Sequence, residues 1–597
     1  MALLVLDAYL ATRVFRAASP RERVRLAAFL GVPICVMAAL AGPSVYSIGG
    51  AVGPLLLGWC APLAILAWGD DLEAFPIPSL NGQLLVAMWL VAAIGLWIVF
   101  LPPGNRPLIH DEPLYMMQSQ HMLRPPFMRP LDQALIPFFV IEQSYSVSGY
   151  INGQYPPGWP LVLSMASTLP GAWVIVFGVY ALLVWATYLF GRVVAGSRVG
   201  LFAAALVTFS GLTLNWATSF MPHVFEAALA LIAGTLMVGS ERSPRRRRIG
   251  AWALAGLVLG FAIAVRPLTG VALAAALWLW VRLRQRPAPR AALAATLAAC
   301  AGGAIPIAFL LYYNLQTTGA VLRFGYDLAE HGLHALGFGR RGFVEYTPTG
   351  VPVERTFAFG PLLALRYAGD NLRVGLFDFF TTGILIVPLA YVALRSGVQW
   401  RWRRIAAFLV LPAAYFFYFF HNERSDRFYF EIFPFAMVGA AFLVHALAQR
   451  RRNVGIALGG LLAATMLVDT AITAITRRRL QARAIAVSAA VERLRAEHSK
   501  LLVFVRAELP QQAADPGSEP ILWWGEPVMQ TLYWYNVYGF PSDVVVARDL
   551  GARDAALARR FPDRFAVLLT VRRAPPGSEP WLIEAKQLES REAARIQ

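Results

Sequence analysis

The stretch "LLVAMWLVAAIGLWIVFLP", residues 84–102, and the "PLIHDEPLYMMQSQHML" that follows it at 107–123 decide how the chain is read. The first is an apolar run of the length a helix needs to cross ~30 Å of hydrocarbon, roughly 20 residues. The second places two adjacent carboxylates, Asp111 and Glu112, directly after it, with His110 before them and Pro113 and Tyr115 after. Pro113 suits the first turn of a helix, where a missing N–H costs nothing. An acidic residue ahead of it caps that helix and favours its positive dipole end. Neighbours at a helix entry point in different directions, so the two carboxylates are not expected to share one proton. One can act as a base while the other caps the helix, holds a partner or binds a metal.

Composition sets the same frame for the whole chain. Of 597 residues, 57% are hydrophobic and 15% charged, and the mean hydropathy is +0.54. A soluble chain of this length carries more charge. Apolar runs recur at 26–42, 49–68, 84–101, 172–190, 199–215, 223–239, 249–265, 268–281, 291–313, 376–394, 404–420, 432–448 and 454–475, about thirteen spans. The expected fold class is an all-α polytopic membrane protein with a small C-terminal α/β domain. The net charge of +18 is almost all arginine, Lys500 and Lys586 being the lysines. Those arginines lie in short clusters between apolar runs, which fits membrane topology rather than nucleic acid. Cys35, Cys60 and Cys300 fall inside apolar segments and give neither a disulfide framework nor a metal spacing.

"ERSPRRRRIG" (241–250), "RLRQRPAPR" (282–290), "RSGVQWRWRR" (395–404) and "QRRRN" (449–453) fall on the same side as the N-terminus. That side is expected to be cytoplasmic. The N-terminus lacks a basic region before its apolar stretch and reads as a cytoplasmic amphipathic start rather than a signal peptide. Residues 102–171 and 314–375 then form large outer loops, and 421–431 a short one. "GDDLEAF" (69–75) and "TRRRLQAR" (476–483) run against the alternation. The expected domains are 1–83, a cytoplasmic segment with two extra spans; 84–475, the catalytic membrane module; and 476–597, a soluble tail outside the membrane. In the tail, "LLVFVRA", "ILWWG", "DVVVARD" and "FAVLLTVRR" read as strands and "ARDAALARRF" as a helix. No glycine-rich phosphate fingerprint follows a strand, so a nucleotide site is unsupported, and the tail is expected to be non-catalytic.

Further polar residues gather on the outer face. "YINGQYPPGWP" (150–160) carries a turn signal at Asn152-Gly153, and Pro156-Pro157-Gly158 reads as a rigid irregular return to the membrane. "VRPLTG" puts Arg266 between two apolar runs, where an arginine is expensive and marks a functional candidate, with snorkelling as the bland alternative. "HNERSDRFYFEIFPF" (421–435) places Arg424 and Arg427 at the mouth of a span, suited to an anion such as phosphate. His223 in "SFMPHVFE" could touch substrate or be a solvated turn residue. The histidines of "EHGLHALG" (330–337) lack an evident third ligand.

In order and sidedness these landmarks resemble the GT-C superfamily of membrane glycosyltransferases, in the branch of protein O-mannosyltransferases and the lipid A aminoarabinose transferase. The resemblance rests on Asp111-Glu112 in the first outer loop, "YPPGWP", "VRPLTG", "RFYFEIFPF" and "YYNLQTTGAVLRFGY" (312–326), and covers about residues 84–450. It implies a polyprenyl-phosphate sugar donor and an extracytoplasmic glycan, lipid or protein acceptor. Asp111 is then the general base with Glu112 in support, and Arg266, Arg427 and Arg424 are phosphate partners. Tyr115, Tyr155 and His223 are substrate-binding candidates. Transfer in one displacement would invert the anomeric carbon. Members differ in their use of a divalent metal, so metal dependence is left open. The arginine-rich usage fits a GC-rich bacterium and hence an inner-membrane location. A flippase for lipid-linked glycans would need polar residues deep in several spans and repeat symmetry, and a scaffold would leave Asp111 free to vary.

Overall fold

The structure is a computed structural model that describes residues 81–102, 109, 111–141, 143–166, 168–241, 243–285, 289–329, 333–346, 352–379, 407–419, 426–450, 452–508, 532–537, 539, 542–573 and 581–588. The two N-terminal spans, most of the 376–394 span, His110, Arg424 and the "ILWWG" strand lie outside the described residues. Among the described residues five helices are long and apolar enough to cross a membrane. They are Leu169–Ala195, Arg245–Val265, Pro289–Thr318, Phe430–Arg450 and Gly455–Arg478. Leu85–Phe100 and His223–Gly239 are shorter apolar helices. Side chains such as Leu297 and Ile305 on the Pro289–Thr318 helix are 59% and 68% exposed. In water such a stripe would be a liability, whereas against lipid tails it is the expected surface.

Close packing of two of these helices follows from their small residues. A Cβ on Gly256 would lie 1.9 Å from the Ala299 carbonyl oxygen, and one on Gly260 would lie 2.5 Å from that of Gly303. The Gly256–Gly260 spacing thus lets the Arg245–Val265 and Pro289–Thr318 helices meet backbone to backbone, where apolar surface alone gives no drive to associate.

Two expected spans differ from their reading. Residues 199–215 form two helices, Ser197–Thr208 and Gly211–Ala217, bent by 63°. Ser210 caps the second, its hydroxyl accepting from Thr213 N–H at 3.4 Å. The Phe209 carbonyl left open at the break takes the Thr470 hydroxyl at 2.6 Å. A hydroxyl inserted at a Ser-Gly pair is a known cause of a sharp break. The described part of 404–420 gives only a short turn and the Val410–Tyr415 helix.

The expected boundary at 476 is not a break. One 46-residue helix, Arg452–Glu497, runs from the bundle into the tail, about 69 Å at ~1.5 Å per residue. The tail sheet runs in the order 544–548, 501–508, 565–573, 581–587, parallel except for the last strand. Three strand expectations are met, at Leu501–Glu508, Val544–Arg548 and Phe565–Arg573, and the Asp554–Arg560 helix agrees with "ARDAALARRF". The antiparallel edge strand Trp581–Gln587 went unread.

One arginine of the basic "TRRRLQAR" cluster has a structural role. Arg477 donates from Nη1 to the Asn215 side-chain oxygen at 2.6 Å and from Nη2 to the Thr218 carbonyl at 2.7 Å. It closes the C-terminal end of the Gly211–Ala217 helix, where a cation is favoured. Its charge serves packing rather than topology.

Within 102–171, Ser144–Val147 and Tyr150–Gly153 pair as a hairpin, with Arg129–Pro130 at its edge. The turn sits at Ser148-Gly149, with φ of 49° and 82°, not at Asn152-Gly153. Two positive φ values are what a two-residue hairpin turn demands. Asn152 instead donates to the Tyr313 hydroxyl at 3.0 Å inside the fold. Nor is the segment after Pro157 irregular, since Gly158–Leu163 is a short helix. Within 314–375, Gly339–Tyr346 and Pro352–Phe359 form an antiparallel hairpin.

Candidate active site

Asp111 and Glu112 open the Asp111–Ser119 helix, which is buried along its whole length. Glu112 behaves as the third residue of a capped helix. Its Oε2 accepts from the Ile109 N–H at 2.7 Å, while its own N–H donates to the Ile109 carbonyl at 3.1 Å. This is the carboxylate half of a capping box. Its Oε1 accepts from the Phe220 N–H at 2.6 Å. Glu112 does not line the cavity that Asp111 faces. Of the roles open to the second carboxylate, Glu112 makes the capping contact, and it also ties two chain segments together.

Asp111 faces a cavity of about 420 Å³. The 102–171 segment contributes Asp111, Tyr115, Gln143 and Tyr155 to its wall. The starts of two apolar helices contribute His223 and Thr269, and Arg266 comes from the corner between helices 245–265 and 267–285. Tyr326, His334, Tyr415, Tyr418, Arg427 and Phe428 complete the wall. The Tyr155 hydroxyl donates to Asp111 Oδ1 and also lies 2.9 Å from Gln143. Burial, with the charge of Asp111 next, pushes the Tyr155 phenol well above its ordinary value. Tyr155 thus stays a proton donor that orients the carboxylate. The Tyr115 ring stacks on Tyr155 with centroids 4.0 Å apart. Arg427 Nη1 lies 3.7 Å from Asp111 Oδ2.

Folding of "YPPGWP" locks this wall to the next. A Cβ at Gly158 would meet backbone atoms of Ala264 and Val265 at 2.7 Å, so only glycine lets the loop press against the helix end that presents Arg266. Trp159 Nε1 donates to the Phe220 carbonyl at 2.5 Å. Phe220 therefore holds both "YPPGWP" and, through Glu112, the Asp111 helix.

Behind the cavity sits a polar cluster built from three helix ends. Arg266 Nη1 donates to Glu431 Oε1 at 2.5 Å and lies 3.4 Å from Glu226 Oε2, while Nη2 donates to the Tyr415 hydroxyl at 2.9 Å. His223 Nδ1 lies 3.0 Å from Glu431 and 2.8 Å from Arg266. Both glutamates are fully buried. The starts of the His223–Gly239 and Pro267–Gln285 helices also line the cavity, adding two positive dipole ends to two guanidinium groups. These cations stand beside three carboxylates, Asp111, Glu226 and Glu431.

Of the residues singled out from sequence, Asp111, Tyr115, Tyr155, His223, Arg266 and Arg427 line this one cavity. Arg424 lies outside the described residues. Glu226, Glu431 and Tyr415 went unread. The His223 and Glu226 spacing of three, on one face of a helix start, was a usable signal. Tyr415 inside an apolar run gave none. His334 joins the wall by its ring, 4.4 Å from that of Tyr326. Among the described residues no three His, Cys, Asp or Glu side chains converge as a metal site requires.

No protein-family model matches the chain, and no curated protein does. Among solved structures it is similar to ArnT from Cupriavidus metallidurans in the apo state, at TM-score 0.47 and 13% identity over 81% of this chain and 92% of that one. It is similar to the same protein bound to undecaprenyl phosphate at TM-score 0.47 and 12% identity, over 83% and 94%. The archaeal oligosaccharyltransferase AglB from Archaeoglobus fulgidus, in complex with an inhibitory peptide and a dolichol-phosphate, matches at TM-score 0.39 and 12% identity, over 83% and 70%. Likeness at this level says nothing of individual residues.

Proposed function

We propose that the chain is a membrane glycosyltransferase that moves a sugar from a polyprenyl-phosphate donor to an acceptor hydroxyl, with inversion at the anomeric carbon. The observation that carries this reading is one cavity holding Asp111, Arg266 and Arg427 at the ends of apolar helices. A lipid phosphate has its reactive head at that level of a membrane, with its chain among the apolar helices. Arg427 and Arg266 meet the phosphate, helped by the two helix starts. Asp111, oriented by Tyr155, faces the acceptor hydroxyl. That oxygen forms a bond to the anomeric carbon as the carbon–phosphate oxygen bond breaks. The bonding pair leaves on the phosphate, where the guanidinium groups stabilise the charge, and the acceptor proton passes to the Asp111 carboxylate.

The same helices carry arginine at their other ends, at 245–248 and at Arg282 and Arg284. By the positive-inside rule those ends are cytoplasmic, so the cavity opens to the extracytoplasmic side of a bacterial inner membrane. The tail lies on that side too, since it packs on the outer loop. A flippase is disfavoured because Glu226, Arg266 and Glu431 sit at the cavity ends of their helices rather than along them. The residues assigned roles in the transfer, Asp111, Tyr155, Arg266 and Arg427, all lie within 84–475.

The test is purified protein in lipid nanodiscs, given a panel of undecaprenyl-phosphate sugars and soluble hydroxyl acceptors. Acceptor-dependent release of undecaprenyl phosphate is expected for at least one donor. Donors that bind but release nothing with any acceptor would remove the reading.

A further inference from the structure

The tail touches no wall of the cavity among the described residues, yet it is joined to the helix that carries Asp111. The Tyr533–Asn536 turn makes the join. Asn536 fixes that turn to the sheet, donating to the Val546 carbonyl at 2.6 Å and accepting from the Val546 N–H at 2.9 Å. From the other side, Arg129 of the outer loop donates to the Asn536 carbonyl at 2.7 Å and to that of Val537. Arg129 is buried, at 8% exposed. A buried guanidinium whose donors meet backbone carbonyls would be left uncompensated if the tail moved away, so this contact is obligatory.

Two side chains of the turn reach the site's supports. The Tyr533 hydroxyl contacts Met117 Sδ at 3.7 Å, on the Asp111–Ser119 helix. The Trp534 ring stacks on Phe220, 5° from parallel with centroids 6.1 Å apart. Phe220 is the residue whose N–H holds Glu112 and whose carbonyl holds Trp159. We propose that Trp534 is a positioning residue for the transfer: through Phe220 and Glu112 it fixes where Asp111 stands against the phosphate. The tail is then part of the catalytic apparatus by support, although it contributes no reacting group. This inference rests on the transferase reading above.

The physical consequence is a split between binding and rate. Phe220 is bonded directly to Glu112 on the Asp111 helix, whereas it reaches Arg266 only indirectly, through His223 three residues on and through Trp159. A base displaced by about 1 Å loses on the order of 10²-fold in rate. In the full chain in nanodiscs, Trp534→Ala is expected to lower kcat by at least roughly 10-fold with undecaprenyl phosphate affinity within about 2-fold of wild type. Trp534→Phe keeps a flat ring against Phe220 and restores most of the rate. Hydrogen exchange of the 111–119 amides, measured on the same proteins, rises in Trp534→Ala and returns in Trp534→Phe. Unchanged kcat in Trp534→Ala would overturn the proposal, as would a loss of affinity equal to the loss of rate with no rescue by phenylalanine. If the wild type transfers no sugar from any donor, the transferase reading fails by itself. The exchange data then still decide the brace, and unaltered exchange at 111–119 refutes it.

Discussion

Asp111→Asn is expected to lower kcat by roughly 10²–10⁴-fold, the range for losing a positioned general base. The variant keeps the shape of the side chain and its place beside Tyr155, so affinity for undecaprenyl phosphate should stay near wild type. Single-turnover transfer beside equilibrium binding reads the two apart. Glu112→Gln makes the contrast. Glu112 accepts N–H bonds on both oxygens, from Ile109 and Phe220, and glutamine offers only one acceptor. One buried N–H then loses its partner, at about 1–3 kcal/mol of stability. Rate should fall less than in Asp111→Asn and should follow the fold.

The two arginines should differ from each other. Arg266 is the cation beside Glu226 and Glu431, both fully buried. Arg266→Ala leaves those carboxylates without it, and breaking a buried pair costs about 3–5 kcal/mol. That is a large share of a typical total of roughly 5–15 kcal/mol. The expected result is a large drop in unfolding midpoint, with Arg266→Lys intermediate because lysine keeps the charge and loses the fork. Arg427 lies partly exposed at the mouth, over the Phe428 ring at 5.1 Å and 3.7 Å from Asp111. Arg427→Ala should leave the midpoint near wild type and weaken donor binding, by about 1.5–3 kcal/mol for a lost charge-assisted bond to phosphate. Equal loss of stability in both variants would contradict the division of labour between them.

Much of the site was legible because charge beside an apolar run is expensive and therefore informative. Asp111, Arg266 and Arg427 stood out on that ground, and the cavity brings all three together. Glu112 was legible as a candidate cap beside Pro113, but its second bond, to the Phe220 N–H 108 residues along the chain, was not. Glu226 and Glu431 hid because their partner, Arg266, lies 40 and 165 residues away. The break at Ser210-Gly211 hid because apolar residues continue across it, and the hydroxyl that satisfies it comes from Thr470. Arg477 was legible as a basic residue of that cluster but not as the group that closes the Gly211–Ala217 helix, whose end lies some 260 residues earlier. The Asn152-Gly153 signal misled for a similar reason, the Asn152 amide being drawn inward by Tyr313.

The most direct measurement of the central claim is the anomeric configuration of the first product, read by proton NMR on the sugar transferred from an undecaprenyl-phosphate donor of defined configuration. Direct attack by an acceptor whose proton goes to Asp111 predicts inversion, with the product opposite to the donor and its formation suppressed in Asp111→Asn. Retention of the donor's configuration would require a second displacement and would contradict the role assigned to Asp111.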